Sequence, residues 1–376
     1  MPDPIATVFH VTDMHLFVDA EGHLREQPLW LARQMARLTR KVPVPSARDL
    51  LAGTMWHDAE ALAALRDELP ELARAERDTA PEAPVLVLQT GDVEAVGSAA
   101  PAALEGYEAF PSYEFVHRRM RDAGDWEWLD VHGNHDTWPG IYPPMRWRHR
   151  AVNRKRIATV PGLEGPWPGE PAVLTGPAGI PVVVARVNTI SRTALEETLA
   201  SGRVTDHPPG HGGSVIDGLR AAFAGWRGEP AIRIAVMHHP PHVFDAKLSE
   251  ELTTGRLVGG DELARCLSEL RVQLVIAGHR HKLNPGAGVT SPAPSPGGPP
   301  LADPTVQLVG QSATQDSVEP GDAESGRVPS RSFCRYRLLT DGAGFAVERT
   351  VFGYSETAGD FSRATTATLF AGLPLE

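Results

Sequence analysis

Four short apolar runs, each followed by residues able to bind a metal ion or move a proton, constrain this chain more than any other feature. The runs are Ile5-Ala6-Thr7-Val8-Phe9, Val85-Leu86-Val87-Leu88, Ile232-Arg233-Ile234-Ala235-Val236 and Val272-Gln273-Leu274-Val275-Ile276. Short runs rich in β-branched residues read as buried strands. Behind them stand Asp13-Met14-His15, Gly91-Asp92, His238-His239 and Gly278-His279-Arg280-His281, and a fifth segment, Gly133-Asn134-His135-Asp136, falls between the second and third. Residues at the carboxyl ends of strands in an α/β sheet converge on one edge, so segments far apart in sequence are expected to form one site. Two carboxylates, one amide oxygen and four imidazoles then face each other, a mixed oxygen and nitrogen set without thiolate that suits Zn, Mn, Fe or Co.

Taken in order, Asp-x-His, Gly-Asp, Gly-Asn-His-Asp, His and Gly-His-x-His resemble the signature of the calcineurin-like metallophosphoesterases. The resemblance covers the chain from about Ile5 to about Thr340. Asp-x-His and Gly-Asp alone are commonplace; Gly-Asn-His-Asp and Gly-His-Arg-His, each behind an apolar strand, carry the specificity. The resemblance implies one metal on Asp13, His15 and His281, a second on Asn134, His238 and His279, and Asp92 bridging both. Two such ions, Mn, Fe or Zn, held about 3.5–4 Å apart polarise phosphoryl oxygens and turn a bridging water into hydroxide, which attacks phosphorus in line. His135, not a ligand in the family, is implied as proton donor or stabiliser of the leaving group. The resemblance also implies His238 rather than His239 as the ligand, because in the family the first residue after the strand points at the metal, with His239 supporting the Pro240-Pro241 turn.

One position departs from the family pattern. Many members carry an Asp three residues beyond the bridging Asp, where it orients the proton-donating histidine; this chain has Ala95. Glu94 or Asp136 is the expected substitute, unless the substrate has a leaving group good enough to need little protonation.

The resemblance also implies a four-layer α-β-β-α sandwich of two mixed sheets flanked by helices, and the 376 residues fit one domain with insertions better than two. The stretch from about 17 to 84 exceeds what a strand crossover needs and reads as a helical insertion placed to cap the site. Leu29, Trp30, Met35 and Leu38 mark one amphipathic segment, and Ser46 with Asp49 looks like the start of a second that carries Leu50, Leu51, Leu62, Leu65 and Leu69. Trp56 and His57 would line the pocket if it forms a lid. Residues from about 284 to 304 are dense in Pro, Gly, Ser and Ala and read as a loop. Thr305 to Val309 resumes a strand, Phe333–Leu339 and Phe345–Val351 read as a hairpin closing the second sheet, and the tail from Thr357 shows little pattern.

Partners follow from charge. Lys and Arg total 36 against 47 Asp and Glu, a formal charge of −11, which disfavours long nucleic acid. A local basic group, Arg146, Arg148, Arg150, Arg154, Lys155 and Arg156 with Trp138, Tyr142 and Trp147 among it, follows the Gly-Asn-His-Asp block. Arginine pairs with phosphate bidentately and aromatic rings stack on bases, which favours a small, nucleotide-like phosphoester; a solvated basic helix is the competing reading. Arg280, between two expected ligands, is the stronger candidate for touching phosphate, with Asn134 also facing substrate. His207 and His211, four apart in a Pro/Gly-rich stretch, lack the helical face that would align them on a metal. Cys266 and Cys334 lack paired spacing and read as reduced core thiols. No apolar run is long enough to span a bilayer and the amino terminus carries no signal pattern, so the expectation is a cytoplasmic protein off the membrane. A hydrolase acting on a phosphodiester is therefore expected, with a phosphomonoesterase or a non-catalytic scaffold of the same fold as alternatives.

Overall fold

A computed structural model describes residues 2–16, 58–93, 111–137, 170–190, 202–204, 214–241, 257–279, 288–290, 305–310, 312–313 and 331–375. Strands form where the apolar runs lie and also where none was expected, β10 inside the stretch read as a loop: β1 (Asp3–Val11), β2 (Val85–Thr90), β3 (Glu127–Val131), β4 (Ala172–Thr175), β5 (Pro181–Val187), β6 (Gly202–Arg203), β7 (Ile232–Met237), β8 (Leu257–Val258), β9 (Leu274–Ala277), β10 (Gly288–Thr290), β11 (Thr305–Val309), β12 (Ser332–Thr340), β13 (Phe345–Ser355) and β14 (Asp360–Leu373). Helices are α1 (Ala59–Thr79), α2 (Pro111–Arg119), a single turn α3 (Asn134–Thr137), α4 (Val215–Phe223) and α5 (Gly260–Glu269).

Two six-stranded sheets result, in the orders β14-β13-β12-β1-β2-β3 and β10-β11-β9-β7-β5-β4, and β6 and β8 form a separate parallel pair. Both large sheets are mixed: β1, β2 and β3 run parallel while β12, β13 and β14 run antiparallel beside them, and β5, β7, β9 and β11 run parallel between antiparallel edges. The side-chain period of two divides the second sheet cleanly. Val182, Val184, Ile232, Ile234, Val236, Leu274 and Ile276 enter a core shared with the first sheet, whereas Val183, Ala185, Ala235, Met237, Val275 and Ala277 pack with Leu219, Phe223, Leu263 and Leu267 of α4 and α5. Burial on both faces explains why these strands read as unbroken apolar runs rather than alternating ones. With α1 on the far side of the first sheet, the layers are α-β-β-α, as expected.

Three details differ from the sequence reading. The helix carrying Leu62, Leu65 and Leu69 begins at Ala59, because the Asp58 carboxylate caps it by accepting from Glu60 N (2.8 Å) and Ala61 N (3.1 Å); Ser46 and Asp49 lie outside the described residues. The β12–β13 hairpin belongs to the first sheet, since β12 pairs with β1. The tail that seemed unpatterned is the long edge strand β14; Ser362 to Thr368 are exposed, which removes the hydrophobic alternation that marks a half-buried strand.

Helix α1 is part of the stretch read as a cap, yet it lies against the outer face of the first sheet. Leu62, Leu65 and Leu69 are buried there, each such side chain contributing roughly 1.5–3 kcal/mol. A buried ion cluster fixes its far end. Glu76 accepts two hydrogen bonds from Arg337 (Nε to Oε2 and Nη2 to Oε1, both 2.8 Å), one from Arg335 Nη1 and one from Thr7 Oγ1 (3.2 Å). Burial by itself would raise the Glu76 carboxyl, but the Arg337 hydrogen bonds and the charges of Arg335 and Arg337 outweigh it and hold the group below 4.5. The remainder of the insertion, including Leu29, Trp30, Trp56 and His57, lies outside the described residues, as do His207 and His211.

Removing one member of a buried charge cluster strands its partners, so Glu76→Ala is expected to cost about 3–5 kcal/mol in urea denaturation. Because the folded carboxyl sits below its unfolded value, the stabilisation is intact above pH 4.5 and is lost as pH falls through the folded value. Wild type should therefore lose stability more steeply in acid than Glu76→Ala.

Candidate metal centre

The carboxyl ends of the parallel strands from both sheets meet at one edge. Asp13 and His15 follow β1, Asp92 follows β2, Asn134 opens α3 just after β3, His238 and His239 follow β7, and His279 follows β9. Asp13, His15, Asp92, Asn134, His238 and His239 are all buried. The backbone here is forced: Asp13 (φ 52°), His15 (φ 47°), Asp92 (φ 53°) and His279 (φ 73°) are four of the five described non-glycine residues with positive φ. Such conformations persist only where surrounding contacts over-determine them, and they cluster at functional sites.

Those contacts are visible. Asp13 N donates to Gly91 O (3.1 Å), His15 N to Asp92 O (2.9 Å) and Gly278 N to His238 O (3.1 Å), so the loops stay laced beyond the strands. Asp13 accepts from His279 N (3.1 and 3.0 Å) and from Thr12 Oγ1 (2.6 Å), and its carbonyl accepts from Ser312 Oγ (2.6 Å). Asp92 Oδ1 accepts from His135 N (2.8 Å). Asp136 takes a specific part: its Oδ2 accepts from Asp92 N (3.0 Å), Gly133 N (2.6 Å) and Tyr113 Oη (2.9 Å), tying α2, α3 and the β2 loop together. Gly91 (φ 99°) supplies a turn that only glycine adopts freely, and a Cβ there would come within 2.5 Å of His238 Nδ1.

At the centre sits His238. Its Nδ1 donates to Thr90 O (2.8 Å), so a neutral ring turns the Nε2 lone pair inward. There Nε2 meets Asn134 Oδ1 (3.0 Å), His279 Nδ1 (3.1 Å) and Asp92 Oδ2 (3.2 Å). His15 Nε2 lies 3.8 Å from Asp92 Oδ2 and 4.0 Å from Asp13 Oδ1. One proton on Nε2 can serve only one of these acceptors at a time, whereas a metal ion draws on all of them, so the donor set fits a cation. The charges agree. Burial opposes ionisation of Asp92, yet the neighbouring His238, His135 and His15 rings hold its carboxyl well below the usual range. Burial would lower His238 too, but the Asp92 charge and hydrogen bond carry it up to about 9. Among the described residues, three groups of side chains have ligand atoms within 4.8 Å of one another: His15, Asp92 and His135; Asp13, Asp92 and His238; and His238, His239 and His279.

The edge thus brings together Asp13, His15, Asp92, Asn134, His135, His238, His239 and His279 from the sequence-derived set, with Asp136 behind them. His135 packs edge-on against His15, ring centres 4.6 Å apart. Asp136 acts on the loop backbone through the contacts above. His281, Arg280, Arg146, Arg148, Glu94 and Ala95 lie outside the described residues. Sequence reasoning missed Thr12, Thr90, Tyr113, Thr189 and Ser312. Thr12 and Thr90 stand next to motif residues, a signal that was available; the others come from segments with no motif. It also missed His10, buried under the edge with Nε2 2.8 Å from Thr90 Oγ1, which burial pushes down to about 4 despite the Asp13 charge. Both cysteines are buried and free, and burial pushes each thiol up to about 11. Among the described residues no helix is long and apolar enough to cross a membrane.

Residues 6–283 match the family model of the calcineurin-like phosphoesterases. No curated protein matches the chain. Among solved structures, the calcineurin-like phosphoesterase YfkN from Bacillus subtilis is similar at 13% identity with a TM-score of 0.41, over 98% of this chain and 90% of that one. The family match spans most of the chain and includes the strands that deliver the candidate ligands to this edge; the chain belongs to the calcineurin-like phosphoesterases, a family of metal-dependent phosphoester hydrolases.

Proposed function

We propose that the edge holds two divalent cations and hydrolyses a small phosphodiester, nucleotide-like in character. The observation that carries this is the place of Asp92, common to the group with His15 and His135 and to the group with Asp13 and His238, as a carboxylate shared between two ions must be. Asp13 and His15, with His281, are assigned to one ion, and Asn134, His238 and His279 to the other. Bound there, two ions supply a nucleophile from water at neutral pH and offset charge on the phosphoryl group. His135 stands beside His15 and Asp92 to protonate or stabilise the departing oxygen.

Charge favours a diester. Two carboxylates against two divalent cations leave a positive surplus that a hydroxide and the single negative charge of a diester neutralise. A monoester dianion would leave the complex anionic and needs further cationic side chains. Arg280, Arg146 and Arg148 are proposed to meet the substrate's phosphate and its nucleotide-like portion, and Asn134 to face substrate as well as metal. A phosphomonoesterase is the second reading, and it requires those arginines at the terminal phosphoryl oxygens. The net charge of −11 argues against long nucleic acid as substrate.

Side-by-side turnover of bis-p-nitrophenyl phosphate and p-nitrophenyl phosphate, after loading with Mn, Zn or Fe, tests the substrate class. The diester should lead in kcat/KM by roughly tenfold or more, about 1.4 kcal/mol of transition-state preference; the reverse order would establish the monoesterase. Asp92→Ala and Asn134→Ala should each lose at least one bound ion and nearly all turnover. His135→Ala should keep both ions while kcat on esters with poor leaving groups falls by about 10²–10⁴.

pH supplies a further check. In the metal-free protein His238 holds a proton up to about pH 9, and that proton stabilises the fold fully below 6.5 and is lost as pH rises through 9. A cation must displace it, so apparent affinity for Zn or Mn should climb as pH rises toward 9 and fall in acid. Isothermal titration from pH 6 to pH 9 reads this directly, and a flat profile would remove His238 from the ligand set.

A further inference from the structure

His239 was read from sequence as a support for the turn that follows it, but its surroundings are those of a ligand. It is buried, and its ring centre lies 4.8 Å from that of His238 and 4.2 Å from that of His279, while His238 and His279 are 4.9 Å apart. Three rings at such spacings gather around a common point, and ligand atoms of all three lie within 4.8 Å of one another. Strand β7 ends at Met237, so the alternation that would send neighbouring side chains to opposite faces no longer applies.

The ring is seated deliberately. Thr189 Oγ1 accepts from His239 N (3.1 Å) and stands 3.0 Å from ring Nδ1. Gly202, on the small β6 strand, makes room: a Cβ there would lie 2.5 Å from His239 Cγ. The threonine hydroxyl beside Nδ1 orients the ring from outside while a ring nitrogen of His239 stays within 4.8 Å of those of His238 and His279. His238 is held the same way, Nδ1 on Thr90 O and Nε2 inward. An outer oxygen on one ring nitrogen with the other nitrogen free for metal is the recurrent arrangement of metal-binding histidines.

We infer that His239 is a further ligand of the cation held by His238 and His279, giving that position three imidazoles. The inference rests on the two-cation reading above and goes beyond it. Its consequence is asymmetry: one position is rich in nitrogen and suited to Zn or Fe, while the other, with Asp13 and His15, is richer in oxygen and accepts Mn. Thr189 and Gly202 become positioning residues of that metal position.

Cadmium-113 loaded into the full chain with ¹⁵N-labelled histidine tests this without relying on activity or on a variant. One cadmium coupled to three imidazole nitrogens is the expected result; two cadmiums each coupled to two imidazoles would overturn it and leave His239 as a packing partner of His279. Thr189→Val, which removes the outer partner but leaves the ring, should weaken zinc at one of the two positions by about 10–100-fold in chelator competition and spare the other. Equal affinity at both positions in Thr189→Val and wild type would count against the inference. A protein that binds no cadmium at all would overturn the two-cation reading along with it.

Discussion

More polar atoms than one proton can satisfy are pressed together at the edge where the two sheets meet, and the surrounding architecture holds them there. Asn134 Oδ1, His279 Nδ1 and Asp92 Oδ2 crowd within 3.0–3.2 Å of His238 Nε2. The backbone that delivers them is itself unfavourable, with four candidate ligands in left-handed conformations that cost of order 1–3 kcal/mol each. Neither cost is met locally. It is offset by central strands buried on both faces, and by loops whose hydrogen bonds continue where the strands stop.

A division of labour follows among residues outside the candidate ligand set. Asp136 holds the amides of Asp92 and Gly133 and is itself held by Tyr113, which ties the Asp92 loop and the Asn134 turn to α2. Thr90 works in both directions, its carbonyl fixing the His238 ring from one side and its hydroxyl meeting His10 on the other. Thr189 does for His239 what Thr90 does for His238.

Much of this was legible in the sequence, because motif order reports strand ends and strand ends report the edge. The meeting of Asp13, Asp92, Asn134, His238 and His279 at one edge follows from that order. What escaped has a physical reason in each case. The start of α1 was misplaced because Ser46-Asp49 and Asp58 carry equivalent capping chemistry, and only the fold selects between them. Strand β14 escaped because exposure on both faces erases its period. The β12–β13 hairpin was assigned to the wrong sheet because a strand's pattern shows which faces are buried, not which neighbour it pairs with. Tyr113, Thr189 and Ser312 reach the site through tertiary contacts alone, and nothing in their local sequence announces it.

The position of β1 sets the order in which this machinery can come into being. It lies in the sheet between β2 and β12, and its register pairs Asp3 with Thr340 and His10 with Cys334. The strand that leads to Asp13 and His15 is far in sequence from β12, its partner on one side, and keeps one unpaired ladder edge until residues 332–340 join it. Non-local pairing of this kind slows folding and exposes sticky intermediates. Until that partner is in place the sheet stays open at β1, so assembly of the candidate site waits on a pairing remote in sequence.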